Sequence, residues 1–373
     1  MSVAVALSVF VVVYVFIATE WVHRVVAVLC GAGVVVAAGV VGADEIFYSH
    51  ETGIDWNVIF LLFGMMVIVG VLSQTGVFEY VAIWAAKRAR GRPFRVMTLL
   101  CLITAVASAA LDNVTTVLLM APVTVLVCDR IGVNAVPYLI SEALASNIGG
   151  AATLIGDPPN IIIASRSGLS FNEFLVNLGP IVVVLLVVFV AMARVLFRRA
   201  FVADPARVRE VMALEEREAI TDVPLLVRSL VVLGLVLIAF SLHALLHLEP
   251  SVVALLGAGV LVLVSRLPSA SYLADVEWET LLFFAGLFIL VGALVEVGVI
   301  DQLATQLADF AGGDLALAMM SILWASAVLS AFVDNIPYVA TMSPVVAQLV
   351  DRGSPLAGED GLWWALALGA DLG

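Results

Sequence analysis

Two polar stretches interrupt a strongly apolar chain, and both carry residue types that bind ions. Residues 146–160 read SNIGGAATLIGDPPN, and residues 110–116 read ALDNVTT. Carboxylate, amide and hydroxyl oxygens are the ligands that hard cations such as sodium prefer, and a carboxylate removed from water exchanges protons. These residue types predict a site for a cation or a proton, and the residues alone leave that choice open.

The composition indicates a polytopic membrane protein. Of 373 residues, 63% are hydrophobic and 13% are charged, whereas a soluble domain has about 25% charged residues. Apolar stretches near the ~20 residues that cross a bilayer recur along the chain. We expect spans at about 2–17, 24–43, 57–77, 175–197, 224–246, 250–265 and 279–298, with composite elements at 97–128, 136–165, 315–350 and from 362 onward.

The charge and the motifs exclude several function classes. The formal net charge is −13, whereas nucleic-acid binding requires a clustered basic face. No HExxH, GxSxG or GxxxxGK[ST] pattern occurs in the sequence, so neither an enzyme nor direct ATP coupling is expected. Cys30, Cys101 and Cys128 lack CxxC spacing, and we expect them to be buried apolar residues rather than metal ligands.

The stretch SNIGGAATLIGDPPN is expected to break a membrane helix that covers about 136–165. Its glycines give backbone freedom and its prolines prevent helix continuation. Irregular backbone at membrane depth must be buried in protein or line a cavity, and half-helix ends in such places bind ions. A kink that serves helix packing alone is the alternative. The candidate ligands are Ser146, Asn147, Gly149, Gly150, Thr153, Asp157 and Asn160. Glu142, one turn earlier, either lines the same cavity or lies at the cytoplasmic interface.

Residues 97–128 are expected to form a re-entrant hairpin with ALDNVTT at its tip. An aspartate there would lie near the bilayer centre, where a carboxylate costs ~2.5–3.5 kcal/mol. Packing does not require that cost. Asp112 is therefore predicted to bind a cation or exchange a proton, with Asn113 as its hydrogen-bonding neighbour and Thr115 and Thr116 in the same turn. A helix cap is the alternative interpretation of Asp112.

An internal repeat with an offset of 222 residues relates the two halves of the chain. DWNVIFLLFGMMVIVGVLSQTGVFEY from Asp55 matches EWETLLFFAGLFILVGALVEVGVIDQ from Glu277, and ALDNVTT matches FVDNIPY. The paired candidate ligands are Asp112 with Asp334, Asn113 with Asn335 and, across a two-residue gap, Asn147 with Asp371.

The repeat predicts an all-α fold of two inverted-topology units, each with a re-entrant hairpin and a broken transmembrane helix. We expect the first repeat at 1–199, a cytoplasmic linker at 200–222 and the second repeat at 223–373. The first repeat counts five crossings, and an odd number inverts the repeat that follows. The sequence ends before a second counterpart of AATLIGDPPN, so we expect a C-terminal truncation.

The distribution of arginine predicts the orientation in the cell membrane. KRARGRPFR at 87–95 and the stretch 194–228 hold most of the basic residues, and the positive-inside rule assigns both to the cytoplasm. The N-terminus is then outside, as are the loops expected at 43–55 and 301–314, which are acidic.

The motifs ALDNVTTVLLMAPVT, SNIGGAATLIGDPPNI and FVDNIPYVATMSPVV resemble the ArsB/NhaD family of the ion transporter superfamily, with its citrate-transporter-like domain. They look most like the P-protein (pink-eyed dilution-like) permease branch, across essentially the whole chain. The resemblance implies an elevator-type carrier. Members of the family export arsenite or antimonite, exchange sodium for protons or carry other ions, and relatives take up citrate and dicarboxylates.

Carried over residue by residue, the resemblance puts the ion or substrate site on Asp112, Asn113, Ser146, Asn147, Gly150, Thr153, Asp157, Asn160, Asp334 and Asn335. Asp-Asn-Val and Asp-Asn-Ile replace the Ser-Asn-Thr signature of the dicarboxylate carriers, which argues against citrate. We expect a secondary active transporter of an inorganic ion, coupled to protons or sodium. A carboxylate symporter and a passive anion channel are the alternatives.

The expected partners follow from that function. They are the lipid bilayer and a small inorganic ion, with no nucleic acid and no cofactor besides the coupling H⁺ or Na⁺. A homodimer and a separate ATPase subunit stay open.

The predicted orientation can be tested by thiol labelling in intact cells. With the native cysteines replaced, Arg90→Cys should react only after the membrane is permeabilised, because the positive-inside rule places this basic loop in the cytoplasm. Glu51→Cys should react with the same membrane-impermeant reagent in intact cells. Labelling of the two variants in the opposite pattern would contradict the orientation.

Overall fold

The computed structural model describes residues 2–49, 51–201, 215–351, 356, 358 and 360–373. Within these residues the regular secondary structure is helical and no strand occurs. The helices are α1 (Ser2–Thr19), α2 (Arg24–Ala37), α3 (Ala43–Tyr48), α4 (Trp56–Ser73), α5 (Val77–Arg88), α6 (Pro93–Ala110), α7 (Asn113–Ile131), α8 (Val136–Gly150), α9 (Pro158–Ser167), α10 (Phe171–Leu196), α11 (Val223–Leu246), α12 (Pro250–Ser265), α13 (Ser269–Ala274), α14 (Trp278–Glu296), α15 (Val299–Ala311), α16 (Leu315–Val333), α17 (Asn335–Val350) and α18 (Gly361–Leu372). Most of the linker expected at 200–222 lies outside the described residues, at 202–214.

The all-α class and the membrane assignment are confirmed. In the described part of the chain, eight helices are long and apolar enough to cross a bilayer: α1, α4, α6, α7, α10, α11, α14 and α16. Three shorter apolar helices are α2, α12 and α18. The chain is therefore a multi-pass membrane protein.

Two sequence expectations about local structure are wrong. The stretch 301–314, expected as an acidic loop, is mostly helix α15, because Ile300, Ala304 and Ala311 recur at helical spacing and are buried on one face. Cys30 is exposed rather than buried, because α2 buries only one of its faces, whereas Cys101 and Cys128 are buried as expected.

The chain divides into two compact units. Unit A comprises 1–62, 158–169 and 277–373, and unit B comprises 63–157 and 170–276. These units differ from the two sequence repeats, because unit A takes two segments from the first repeat. The repeat boundaries and the inversion of the second repeat stay predictions.

Unit B is built around the helices that carry the ALDNVTT turn. Helices α6, α7 and α8 pack on one another, and α5 and α10 pack against this group. The short 3₁₀ helix Glu216–Ala219 packs on α5, where Lys87 forms an ion pair with Glu216. Thr221 N–H donates to Thr75 O at 3.1 Å. These contacts tie the end of the linker to both ends of α5.

Unit A holds the second Asp-Asn turn between α16 and α17. Helix α18 packs on α16, α14 packs on α2, and α9 packs on both α17 and α18. The Tyr14 hydroxyl of α1 donates to Pro337 O at 2.6 Å. The half-helix α9 thus lies against helices of the second repeat.

Local structure recurs at the offset of the sequence repeat. Helices α4, α5, α6 and α7 begin at Trp56, Val77, Pro93 and Asn113, and α14, α15, α16 and α17 begin 222 residues later at Trp278, Val299, Leu315 and Asn335. Gly76 and Gly298 precede α5 and α15 with φ of 76° and 74°, a left-handed conformation that favours glycine. The two repeats therefore share helix boundaries and a turn conformation.

Gly292 of α14 is predicted to be essential for packing in unit A. A Cβ atom at this position would lie 1.8 Å from Thr52 O, a backbone atom. Gly292→Ala should lower the free energy of unfolding by on the order of 1–3 kcal/mol, the usual cost of overpacking, and so lower the melting temperature of the purified protein.

Gly259→Ala in α12 is the matched control, because nothing lies within 4 Å of a Cβ there. It should be neutral or stabilising by about 0.5–1 kcal/mol, since alanine favours a helix. Equal melting temperatures for the two variants would contradict the packing argument.

Candidate functional site

The helix break predicted in SNIGGAATLIGDPPN is present. Helix α8 ends at Gly150 and α9 begins at Pro158. The seven residues between them, 151–157, form turns, and all are buried. Pro158 has no backbone N–H and a fixed φ, which suits the first position of a helix. The sequence therefore ends one helix and starts the next inside the protein.

Asn113 is the centre of a hydrogen-bond cluster in unit B. Its Nδ2 donates to Asp157 Oδ2 at 2.8 Å and to Asn147 Oδ1 at 3.2 Å. Asn113 and Asp157 are buried, whereas Asn147 is exposed. One amide thus joins the ALDNVTT turn to both ends of the break, and the cluster has one accessible side.

Hydroxyl groups fix the broken segment onto the ends of α6 and α7. Ser146 Oγ donates to Asn113 O at 3.0 Å, and Thr153 Oγ1 donates to Ala109 O at 2.6 Å. Thr153 Oγ1 also accepts from Gly156 N–H at 3.0 Å. These bonds satisfy backbone groups that lipid cannot satisfy.

The glycines of the break serve close approach rather than unusual backbone angles. Gly149, Gly150 and Gly156 do not have positive φ. A Cβ at Gly149 would lie 2.2 Å from Ala105 O, and one at Gly156 would lie 2.5 Å from Gly150 O. The backbone freedom expected at these positions is therefore not their role, because the absent side chains let the segment contact α6 and itself directly.

Asp112 is both buried and a helix cap. Its side chain is 6% exposed, and Oδ1 accepts from Thr115 N–H at 2.8 Å at the start of α7. The cap considered as an alternative is therefore present. Nearby, the buried oxygens Asn113 Oδ1, Thr115 Oγ1 and Thr116 Oγ1 have no hydrogen-bond partner among the described residues. These three oxygens are able to accept a hydrogen bond or to coordinate a cation.

The remaining predicted site residues belong to unit A. Asn160 and Asp371 are buried, on α9 and α18, and Asn335 is half-buried at the first position of α17. Asp334 is exposed, with 41% of its side chain accessible, and its Oδ2 lies 3.8 Å from Arg24 Nη1.

The two repeat-related aspartates differ for a reason that the sequence contains. Asp112 caps α7 through the N–H of its third residue, Thr115. The third residue of α17 is Pro337, which has no N–H. Asp334 accordingly makes no side-chain capping bond and has a φ of +86°. Its carboxylate pairs with Arg24 instead.

Glu142 is the buried carboxyl whose position the sequence left open. It is 1% exposed, and Oε1 accepts from Thr124 Oγ1 at 2.7 Å. Its side chain is therefore enclosed by protein. Within the described part of the chain, no group of three histidine, cysteine, aspartate or glutamate residues is placed to hold a metal ion.

Comparison with known families identifies the architecture to which this site belongs. A family model described as citrate transporter matches residues 14–369. The chain belongs to the citrate transporter family. The resemblance to the ion transporter superfamily that the motifs indicate is thereby confirmed.

Relatives of this family member are described as membrane proteins and transporters. It is 57% identical to the 46 kDa membrane protein of Mycobacterium leprae over 369 residues, which are 99% of this chain and 86% of that one. An uncharacterized transporter of Mycobacterium tuberculosis matches with the same identity and coverage. The P protein of Mus musculus is 34% identical over 450 residues, 100% of this chain and 54% of that protein.

Asn113 is predicted to hold the cluster together. Asn113→Ala removes the hydrogen bonds to Asp157 and Asn147, and losing a donor to the buried carboxylate of Asp157 costs about 1–3 kcal/mol. The melting temperature of the purified protein should fall. Asn177→Ala is the matched control, because Asn177 is exposed on α10 and bonds only Glu173 O of its own helix. An equal effect of both substitutions would argue against a cluster centred on Asn113.

Proposed function

We propose that this protein is a secondary active transporter that moves a small inorganic ion across the cell membrane, coupled to a proton or sodium gradient. The observation that carries the proposal is the Asn113 hydrogen-bond cluster at the helix break. It joins an Asp-Asn helix turn to an unwound segment inside a membrane protein of the citrate transporter family.

The chemistry of the cluster favours a cation as the bound species. Carboxylate, amide and hydroxyl oxygens occur in the cluster and in the adjacent turn. They belong to Asp157 and Asn147 in the cluster and to Asp112, Thr115 and Thr116 in the turn. Hard cations take six or more such ligands. An anionic substrate instead requires N–H donors or basic side chains. We therefore assign this cluster to the coupling cation or to a cationic substrate.

The two repeats supply the movement that a carrier needs. Broken helices near the midplane of inverted repeats are typical of transporters that expose one site alternately to each side. In this proposal Asp334, Asn335 and Asp371 are the ion-binding residues of the second repeat, and Asn160 is an ion-binding residue of the first. The basic loops 87–95 and 194–228 face the cytoplasm.

A carboxylate symporter is the second candidate, because the matching family model is described as citrate transporter. Exchange of sodium for protons and export of arsenite or antimonite are the inorganic alternatives. Uptake of sodium, arsenite and citrate into proteoliposomes under an imposed pH gradient separates these substrates. Citrate as the only transported solute would replace the inorganic-ion proposal with the symporter.

Removal of either Asp-Asn carboxylate is predicted to abolish coupled flux. Asp112→Asn and Asp334→Asn keep side-chain size but remove the charge that binds the cation. Each should reduce gradient-driven transport by at least tenfold while the melting temperature stays near that of the wild type. The assay is the initial rate of uptake into proteoliposomes that contain equal amounts of protein.

Asp309→Asn is the control, because Asp309 is exposed on α15 and lies outside the proposed site. It should transport at the wild-type rate. Wild-type rates in either Asp112→Asn or Asp334→Asn would remove that aspartate from the transport site.

A further inference from the structure

Glu142 lies in an apolar part of unit B and has only one of its two oxygens satisfied. Oε1 accepts from Thr124 Oγ1, while Oε2 is buried and has no hydrogen-bond partner among the described residues. No lysine, arginine or histidine of the described chain forms an ion pair with it. A buried carboxylate in such surroundings is strongly disfavoured unless it takes up a proton.

The groups around Glu142 do not supply a compensating charge. The buried thiols of Cys101 on α6 and Cys128 on α7 belong to two helices that pack on α8, the helix of Glu142. Tyr138 is one turn earlier on α8, and its buried hydroxyl also lacks a partner in the described residues. Asp129, next to Cys128 on α7, is exposed and has the same sign of charge as a glutamate.

Helix α10, which also packs on α8, contributes Phe189 and Ala193 to the apolar cluster around these thiols. The buried neighbours are thiols, a phenol and hydrocarbon, and none of them carries a positive charge. The negative charge of Glu142 is therefore best neutralised by a proton on Glu142 itself.

The second repeat shows that this polar pair is not needed for packing. With the offset of 222, Thr124 corresponds to Val346. With the two-residue gap that pairs Asn147 with Asp371, Glu142 corresponds to Leu366. Val346 and Leu366 are both fully buried on α17 and α18, helices that pack together as α7 and α8 do.

Equivalent hydrogen bonds in the two repeats support the two-residue gap in their alignment. Ser108 Oγ donates to Ser146 O at 2.8 Å in unit B, and Ser330 Oγ donates to Ala370 O at 2.8 Å in unit A. An apolar pair thus fills the same position in the second repeat, so the packing of these two helices does not require a carboxyl group.

We propose that Glu142 is a proton-binding site of the transport cycle, separate from the Asn113 cluster and coupled to it through α8. Glu142 and Asn147 are five residues apart on this helix, a rise of about 7.5 Å. In the state described by the structure, the carboxyl holds its proton. When α8 moves and water reaches Oε2, the O–H bond breaks, the proton passes to water and the carboxylate remains.

This inference rests on the proposed carrier function for its role in coupling, but the buried proton can be measured without transport. Infrared difference spectra of the purified protein in lipid nanodiscs, recorded against pH, report the carbonyl stretch of protonated carboxyl groups. We expect a protonated-carboxyl band at neutral pH that is lost in Glu142→Gln and kept in Glu296→Gln. Glu296 is an exposed residue at the end of α14 and serves as the matched control. Identical spectra for the wild type and Glu142→Gln would overturn the proposal.

Transport assays test the coupling. Because glutamine mimics the neutral carboxyl, Glu142→Gln should keep exchange of the transported ion across the membrane but lose at least tenfold of its accumulation driven by a pH gradient. Glu296→Gln should retain both. Unchanged proton-driven accumulation in Glu142→Gln would overturn the coupling role.

A double variant that is expected to fold separates loss of the proton site from misfolding. Thr124→Val with Glu142→Leu copies the apolar pair of the second repeat, and it should fold, lose the infrared band and lose proton-driven accumulation. Retention of the band in this double variant would overturn the assignment to Glu142. If the wild type accumulates no ion under any gradient, the proposed carrier function fails, while the infrared result still decides where the buried proton resides.

Discussion

Backbone N–H and C=O groups that leave a helix inside a bilayer have no water to bond, and this constraint governs the centre of unit B. Residues 151–157 leave the helix, and protein atoms accept hydrogen bonds from several of their N–H groups. Ser146 and Thr153 bond backbone groups of the Asp-Asn turn region, and Gly149 and Gly156 allow direct backbone contact. The ion-binding residue types are concentrated here because unwound chain and side-chain oxygens must occur together.

The same constraint gives Asn113 a central position in the hydrogen bonding of the break. A single amide donates to an aspartate after the break and to an asparagine before it. An ion that displaced or joined these bonds would alter both ends of the break at once. In the proposed carrier, ion binding and the position of the half-helices are linked through this side chain.

The two repeats use one set of helices for different chemistry. Pro337 removes the N–H that would make Asp334 a cap like Asp112, and the Asp334 carboxylate pairs with Arg24. Likewise, Val346 and Leu366 stand where the first repeat has Thr124 and Glu142. A carrier with two equal halves would have two equal ion sites. In the proposed carrier, this asymmetry corresponds to a cation site at Asn113 and a proton site at Glu142.

The sequence alone determined the helical membrane class, most span boundaries, the break near Gly150 and Pro158, and the internal repeat with its offset of 222 residues. These features depend on local properties, namely apolar length, proline chemistry and glycine spacing, which are visible without contacts. The helix α15 was missed because its apolar positions occupy only one face among acidic residues.

Only the tertiary structure decided which side chains meet and which oxygens are left without partners. That Asn113 bridges Asn147 and Asp157, that Glu142 is buried beside Thr124, and that Asp334 is exposed all depend on residues far apart in the chain. Burial and hydrogen bonding depend on which side chains pack together, so the spacing of residues along the sequence does not specify them.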